Sequence, residues 1–303
     1  MSVQVKLLIG FFKGLSKLSL RQAQTFGAVI GGGLALLPEA WCSPKRVTRI
    51  NLEVAFPELT QQERRQLVRQ SLIELGKTAA ELGPVWLKPL ETVQSWIHPP
   101  QNEALFEAAR QKGKGVIVLM PHLGCWEAIA AYLAPIEKIT YLYRPPDLVE
   151  IEDFMVRVRS RAGANLVPTN VKGVMALTRA LKRGEFVGIL PDQDPGEVGS
   201  VYAPFFGHPA RTMTLISKLI QKTDCEVLFL SLKRLPKGQG FQPVWQAAPE
   251  GLADQDEIKA ASALNLGVEQ LVRQFPAQYQ WEYKRFRHPP AGVVDIYRKE
   301  GGK

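Results

Sequence analysis

Beyond residue 100, short apolar runs alternate with stretches of helical periodicity, and this alternation constrains the fold more than any other feature of the sequence. The apolar runs predict strands at 116–120, 139–143, 187–190, 226–232 and 241–245. The stretches around them predict helices at 103–112, 127–134, 150–162, 172–183, 213–223 and 258–275. Strands that alternate with helices in this way predict an α/β fold, with a mixed, mostly parallel central sheet flanked by helices.

The first 40 residues differ from this region because they combine apolar and cationic residues in a helical rhythm. Apolar side chains recur on one side and lysines on the other, namely Leu7, Leu8, Phe11, Phe12, Leu15 and Leu18 against Lys6, Lys13 and Lys17. This pattern is typical of a helix on a membrane surface. The uncharged run 25–38 is shorter than the roughly 20 residues of a perpendicular spanning helix. We therefore predict a membrane-anchoring helical segment over residues 1–40; an ordinary core helix and a cleaved signal peptide are the alternatives.

A helical lead-in is predicted between residues 45 and 95. The run QQERRQLVRQSLIELGKTAAELG has apolar residues at helical spacing, and the Gly83-Pro84 pair that ends it predicts that the helix stops there. No internal repeat or linker divides the sequence after this point. Residues 41–303 are therefore predicted to form one domain, with the helices as its lead-in.

Composition and charge exclude some classes of protein and leave others open. A chain of 303 residues with 46% hydrophobic residues can bury a core, so disorder is not expected. The formal charge of +9 favours an anionic partner, and nucleic acid, anionic lipid and acidic proteins all qualify. Cys42, Cys125 and Cys225 are too dispersed for a disulfide framework or a metal site, which fits a reducing compartment.

The run GVIVLMPHLGCWEAIAAYL places a histidine directly after a strand and a glutamate at the start of a helix. Reactive side chains gather at the carboxyl ends of strands in α/β sheets, so His122 is a candidate catalytic residue. Within one regular helix, His122 and Glu127 would lie about 140° apart. With His122 just before the helix, the chain can fold Glu127 back onto the imidazole. The pair would then act as a general base oriented by a carboxylate.

The residues by themselves also allow simpler interpretations of this stretch. His122 could be a loop histidine with a backbone partner, and Glu127 an acid that favours a helix N-terminus. Cys125 lies between them, so a nucleophilic thiol and a metal site of His122, Cys125 and Glu127 are further alternatives, which we consider weaker. The tail YQWEYKRFR at 279–287 alternates rings and cations, as single-stranded nucleic-acid sites do.

Several ordered motifs together resemble the bacterial lipid A late acyltransferases, the lauroyl- and myristoyltransferase type. They are HLGCWE at 122–127, YRP at 143–145, LPDQDPG at 190–196, RINLEVAFPEL at 49–59, APFFGHPA at 203–210 and YQWEYKRFR at 279–287. The likeness covers almost the whole chain. It implies that His122 is the general base and Glu127 its partner, since the wider glycerolipid acyltransferase superfamily uses an H-x-x-x-x-D motif. It also implies that the tail packs near the active domain and faces anionic headgroups.

The resemblance carries over to further site residues. Arg159 best matches an arginine in the helix after YRP, with Arg157 and Arg161 as close alternatives, and Asp192 matches the first Asp of PDQD. We expect Arg159 to bind an acceptor phosphate or the oxyanion, and Asp192 to hold Arg159 by a bidentate pair. Arg144 of YRP is a candidate for substrate contact. For Asp192 a turn-forming role, and for Arg144 a structural role, are the alternatives. No metal or organic cofactor is implied.

The implied function is transfer of a fatty acyl chain from the thioester of acyl carrier protein to a hydroxyl of a lipid A precursor. By this resemblance, residues 41–303 are an acyltransferase catalytic domain at the cytoplasmic face of the bacterial inner membrane. The positive charge suits both an acidic carrier protein and a phosphorylated acceptor. We expect no nucleic-acid partner. The alternatives are acylation of a mannosylated phosphatidylinositol or an aminolipid, and a non-catalytic protein that binds lipid at the membrane surface.

Overall fold

The computed structural model describes residues 2–146 and 148–298, and these form an α/β fold. The helices are α1 Val3–Leu15, α2 Leu20–Leu36, α3 Ser43–Ala55, α4 Gln61–Leu87, α5 Leu90–Gln94, α6 Glu103–Gln111, α7 Ile129–Leu133, α8 Glu152–Ser160, α9 Val171–Lys182, α10 Leu215–Thr223 and α11 Glu257–Gln274. The strands are β1 Val116–Leu119, β2 Ile139–Tyr143, β3 Asn165–Pro168, β4 Phe186–Ile189, β5 Ser200–Phe205, β6 His208–Met213, β7 Glu226–Arg234 and β8 Phe241–Ala247.

Six strands form the main sheet, in the order β3-β2-β4-β1-β7-β8. β8 is antiparallel to β7, and the other pairings in this sheet are parallel, which confirms the predicted mixed and mostly parallel sheet. β1 is fully buried, with β4 on one side and β7 on the other. The carboxyl end of β1 therefore lies in the middle of the sheet edge where reactive groups are expected.

The chain divides into two compact units, which are described separately. Of the described residues, one unit contains the six-stranded sheet and comprises 2–27, 77–146, 148–190 and 222–247. The other comprises 28–76, 191–221 and 248–298. The predicted division at residue 40, into an anchoring segment and a catalytic domain, concerns function and stays a prediction.

The second unit contains the β5–β6 hairpin, which packs against α11. The Asn265 side chain, in α11, donates to the carbonyl of Pro204 at 2.9 Å. Trp281 and Arg285, from the tail at 279–287, are buried in this unit, and Arg285 donates to the carbonyl of Arg211 at 2.6 Å. The expectation that this tail faces anionic headgroups is therefore wrong for these two side chains, because they form part of a packed core.

The apolar side of α1 is divided between the interior and the surface. Phe12 is 7% exposed, whereas the neighbouring Phe11 is 51% exposed. Val5 and Leu15 are buried like Phe12, and Leu7 is exposed like Phe11. Within the described ranges, none of the helices combines the length and hydropathy that crossing a bilayer requires.

The helix α4 continues through Gly83-Pro84 to Leu87, so the predicted stop at this pair is wrong. Pro84 lies in the last turn of α4, where its missing N–H removes a single helical hydrogen bond. The guanidinium of Arg161 donates to the carbonyls of Val85, at 2.8 Å, and of Lys88, and so satisfies acceptors at the end of this helix. The added turn carries Trp86, which reaches the site described next.

Candidate active site

The loop that carries His122 follows β1 and is held against β7. Gly124 has φ +68°, and a Cβ at this position would lie 2.0 Å from the carbonyl oxygen of Leu232. Only glycine lets the backbone approach β7 this closely in this conformation. The amide of Cys125 donates to the same Leu232 carbonyl at 2.8 Å. These contacts fix the backbone between His122 and Glu127.

Glu127 lies in a 3₁₀ turn, Trp126–Ala128, that leads into α7. Its carboxylate accepts a hydrogen bond from the indole Nε1 of Trp86 at 3.0 Å and from Nε of Arg159 at 3.0 Å, while Nη2 of Arg159 donates to the other oxygen. The side chain of Glu127 is 9% exposed. An almost buried carboxylate is thus held by a bidentate guanidinium and an indole.

The surroundings of Glu127 keep it ionised. Burial alone would raise the pKa of this carboxyl, but the charge of Arg159, the hydrogen bonds from Arg159 and Trp86, and the interaction with His122 hold the pKa below its ordinary value. Burial likewise opposes the charge on Arg159, yet Glu127 raises the pKa of the guanidinium. Both groups therefore carry their charges at neutral pH.

His122 lies between the end of β1 and the turn that carries Glu127. His122 interacts electrostatically with Glu127, and its ring packs edge-on against Trp126, with the ring centroids 5.1 Å apart. The turn at 126–128 therefore brings together the two residues that the sequence motif predicted. A positive charge that develops on His122 during proton transfer would be stabilised by the carboxylate of Glu127.

The structure distinguishes the arginines of α8 and the loop after it. Arg159 faces Glu127, whereas Arg157 is exposed and lies over the ring of Phe154, 5.9 Å from its centroid. Arg161 binds the end of α4, as described above. The guanidinium of Arg159 binds Glu127 through Nε and Nη2, and the expected pairing of Arg159 with Asp192 stays a prediction.

Sequence reasoning missed Trp86, because a helix that stops at Gly83-Pro84 leaves it in a loop. The carboxylate of Glu127 lies 41 positions away in the chain. No local pattern connects an indole to a carboxylate at that separation. A helix extended by one turn would have placed Trp86 on α4 and marked it as a candidate.

A second buried ion pair lies beside the loop at 122–127, and the sequence analysis missed it too. Nε and Nη2 of Arg234 donate to the two carboxylate oxygens of Glu81, at 2.7 and 2.6 Å, and each side chain is 1% exposed. Nη2 of Arg234 also donates to Thr78 Oγ1 at 2.9 Å and lies 3.5 Å from the carbonyl oxygen of Gly124. The amide of Gln24 donates to Glu81 at 2.6 Å.

The buried thiol of Cys125 is not suited to nucleophilic attack. Burial, followed by the negative charge of Glu81, raises its pKa well above the ordinary value, so it stays protonated at neutral pH. The amides of Leu123 and Cys125 donate to the carbonyls of Pro121, at 2.7 Å, and of Leu232. Since these amides are engaged within the protein, Arg159, whose side chain is 29% exposed, is the better candidate to stabilise an oxyanion.

The remaining predicted site residues lie elsewhere in the chain. Arg144 follows β2 and is exposed. Its neighbour Tyr143 donates to Glu152 at 2.7 Å, a hydrogen bond that raises the pKa of Tyr143 to about 12 and ties YRP to the start of α8. Asp192 belongs to the second unit, where it is buried and hydrogen-bonded with Tyr279. The roles of Arg144 and Asp192 in substrate binding stay predictions.

A histidine and a carboxylate at the carboxyl end of a central parallel strand are groups of the kind that general acid–base catalysis uses. The family model of the bacterial lipid A biosynthesis acyltransferases matches residues 4–288, and the chain belongs to this family. It is an acyltransferase of lipid A biosynthesis, as the resemblance in the sequence predicted.

Curated relatives agree with this assignment. The chain is 29% identical to the lipid A biosynthesis lauroyltransferase of Escherichia coli K12, over 83% of this chain and 82% of that protein. It is 28% identical to the palmitoleoyltransferase of the same organism, over 83% of this chain and 81% of that protein. The E. coli myristoyltransferase is 24% identical over 93% of each chain. The names of these relatives differ in the acyl chain transferred.

Proposed function

We propose that the enzyme transfers a fatty acyl chain from the thioester of acyl carrier protein to a hydroxyl of a Kdo-bearing lipid A precursor, at the cytoplasmic face of the inner membrane. The observation that carries the proposal is the ionised Glu127 next to His122, at the carboxyl end of β1. This arrangement suits proton removal from a hydroxyl. The net charge of +9 suits an acidic carrier and an anionic acceptor.

The proposed reaction needs one proton carrier and no covalent intermediate on the enzyme. His122 takes the proton of the acceptor hydroxyl as its oxygen attacks the thioester carbonyl, and Glu127 stabilises the imidazolium. The negative charge that forms on the carbonyl oxygen is stabilised by Arg159. The carbon–sulfur bond then breaks, the new ester remains on the acceptor, and the imidazolium returns its proton to the departing thiolate. Arg144 and Asp192 bind or orient the substrates in this proposal.

Membrane attachment through the N-terminal helices is part of the proposal. Leu7 is 68% exposed and Phe11 is 51% exposed, and Lys13 and Lys17 lie on the same helix or just after it. Exposed apolar side chains flanked by lysines bind the headgroup region of an anionic bilayer. Such attachment brings the enzyme to the surface where its lipid acceptor resides.

The test is an acyl-transfer assay in detergent micelles, with one acyl chain presented either on acyl carrier protein or on coenzyme A. Replacing His122 by Ala should lower kcat by about 100- to 10,000-fold, the range typical of a lost general base. His98→Ala is the matched control, because His98 is an exposed histidine that bonds the carbonyl of Gln239. Its activity should equal that of the wild type.

Each outcome of this assay bears on a separate part of the proposal. Equal rates with both donors would overturn the choice of carrier protein. Product with an aminolipid or a mannosylated phosphatidylinositol, and none with the lipid A precursor, would replace the acceptor. An unchanged kcat in His122→Ala would refute the catalytic role of the histidine.

Vesicle flotation tests the attachment separately. Leu7→Ser with Phe11→Ser should weaken binding to anionic vesicles, whereas Val171→Ser should not, because Val171 is even more exposed, at 77%, but lies at the start of α9. Equal flotation of both variants would show that these two side chains of α1 do not contribute to membrane binding.

A further inference from the structure

We propose that α1 belongs to the active-site scaffold, and that Phe12 is a positioning residue for Glu127, acting through Trp86 and Phe154. This inference goes beyond attachment to a membrane. It concerns the face of α1 that points into the protein, not the face proposed to bind lipid. It rests on the proposed catalytic role of Glu127.

The first link is the contact between Phe12 and the indole that holds Glu127. Phe12 and Trp86 pack edge to face, with ring centroids 5.1 Å apart. Both side chains are 7% exposed, so the contact excludes water. Trp86 donates its Nε1–H to Glu127 at 3.0 Å. The direction of that N–H depends on the tilt of the indole, and the ring of Phe12 limits the tilt.

The second link leads to Arg159. Phe12 stacks parallel to Phe154 with centroids 6.5 Å apart, and Phe154 packs edge-on against Trp86 at 6.0 Å. Phe154 and Arg159 both lie on α8. The three rings therefore form one cluster between α1, the end of α4 and α8. Both donors to Glu127, the indole and the guanidinium, come from elements that this cluster joins.

The approach of α1 to α4 is too close for any side chain at Gly83. A Cβ at this position would lie 2.5 Å from the Cβ of Leu15 and 2.6 Å from the carbonyl oxygen of Phe12. The backbone of α1 thus rests directly on α4, one turn before Trp86. A displacement of α1 would therefore move Trp86, because Gly83 and Trp86 belong to the same helix.

The position of α1 therefore affects the position of the Glu127 carboxylate. Loss of the ring cluster frees the indole of Trp86 to tilt and so weakens its hold on Glu127. The same short helix presents Phe11 outward and Phe12 inward, so its two faces can be tested separately.

The experiment compares Phe12→Ala with Phe106→Ala in the full-length enzyme in detergent micelles, where vesicle binding does not limit the rate. Phe106 is also a buried phenylalanine that packs on a tryptophan, Trp245, with centroids 4.9 Å apart. Both changes remove a ring from the core. We expect Phe12→Ala to lower kcat by about 10- to 100-fold, in the range that a misplacement of about 1 Å produces, with the donor KM little changed. Phe106→Ala should leave the kcat of the folded enzyme within about twofold of wild type, since it lies outside the ring cluster.

A spectroscopic reading separates positioning from general destabilisation. Enzyme labelled with 5-fluorotryptophan gives a ¹⁹F resonance for Trp86 that the Trp86→Phe variant identifies. Phe12→Ala should shift this resonance and Phe106→Ala should not. In the Trp86→Phe background, Phe12→Ala should lower kcat much less than in wild type, because the indole is already gone.

The outcomes that would overturn the inference are distinct from failure of the proposed function. Equal kcat losses in Phe12→Ala and Phe106→Ala, or additive losses in the double variant, would show that Phe12 acts only through stability. An unchanged Trp86 resonance in Phe12→Ala would overturn the inference. This measurement does not depend on turnover, so it applies even if the wild-type enzyme accepts none of the tested donors. Absence of wild-type turnover on the lipid A precursor would instead count against the proposed acceptor.

Discussion

Removing the carboxylate of Glu81 should destabilise the protein strongly, because it leaves a buried guanidinium without its acid. Arg234 makes two hydrogen bonds to Glu81, at 2.6 and 2.7 Å, and each side chain is 1% exposed. In Glu81→Leu, Arg234 keeps its hydrogen bond to the Thr78 hydroxyl and lies 3.5 Å from the Gly124 carbonyl oxygen, but its carboxylate partner Glu81 is gone. Breaking a buried ion pair by removing one partner costs about 3–5 kcal/mol.

The double variant Glu81→Leu/Arg234→Met should be more stable than Glu81→Leu. It removes both charges and fills the space with apolar atoms, a replacement that is often neutral or stabilising. The amide of Gln24, which donates to Glu81 at 2.6 Å, still loses its acceptor. That loss costs about 1–3 kcal/mol. The two single changes are therefore strongly non-additive.

The assay is urea unfolding at a fixed micelle concentration, followed by tryptophan fluorescence, for the wild type, both single variants and the double variant. The exposed pair of Lys112 and Glu226 is the matched control. Its nitrogen and oxygen are 2.9 Å apart, but the side chains are 55% and 28% exposed. Removing it should change the free energy of unfolding by about 0–1 kcal/mol. The reasoning is refuted if Glu81→Leu costs no more than this control, or if the double variant equals the sum of the singles.

Three further predictions concern the loop, the arginines and pH. At temperatures where the variant is folded, Gly124→Ala should lower kcat about 10- to 100-fold, because the new Cβ would lie 2.0 Å from the carbonyl oxygen of Leu232 and displace the loop. Arg161→Met should lower the free energy of unfolding by about 1–3 kcal/mol through its lost bonds to the end of α4, and Arg157→Met by less than about 0.5 kcal/mol; parallel urea titrations compare them. The folded pKa of Glu127 is below its ordinary 4.5, so its ionisation adds stability above that pH, and this part is lost as the pH falls through the folded pKa. The stability difference between wild type and Glu127→Gln should therefore be constant above about pH 5.5 and shrink as the pH falls further. A difference that already shrinks as the pH falls from about 7 to about 6 would contradict this.

Several of the strands predicted from the sequence have continuous apolar runs, although β8 contains glutamine and proline. β1 and β4 are buried throughout, and such runs are typical of parallel strands covered on both faces. β3, with the sequence NLVP, begins with an exposed residue at the edge of the sheet and carries no such run. The hairpin β5–β6 places Pro204 opposite Pro209, and proline within a run argues against a strand. A two-stranded hairpin tolerates these prolines because each strand has a free edge in that sheet.

The candidate site was predictable to the extent that it is local. His122 and Glu127 lie in one motif, and the predicted strand before them placed this motif at the carboxyl end of a strand. The choice of Arg159 came from resemblance, since Arg157, Arg159 and Arg161 have the same chemistry and nearly the same surroundings in the sequence. Only the contacts distinguish them, because each of the three has a different partner.

Sequence motifs therefore describe only part of what holds the candidate catalytic carboxylate. Glu127 receives hydrogen bonds from Trp86, on α4, and from Arg159, on α8, while the loop before it is bonded to Leu232, on β7. Each of these partners is at least 32 positions away in the chain. A loop held from three directions keeps its side chains in place during the reaction, which is the condition for effective general-base catalysis. It follows that substitution of Trp86, which lies outside every motif, should lower turnover, whereas the acceptor at Leu232 is a backbone carbonyl that every substitution of its side chain leaves in place.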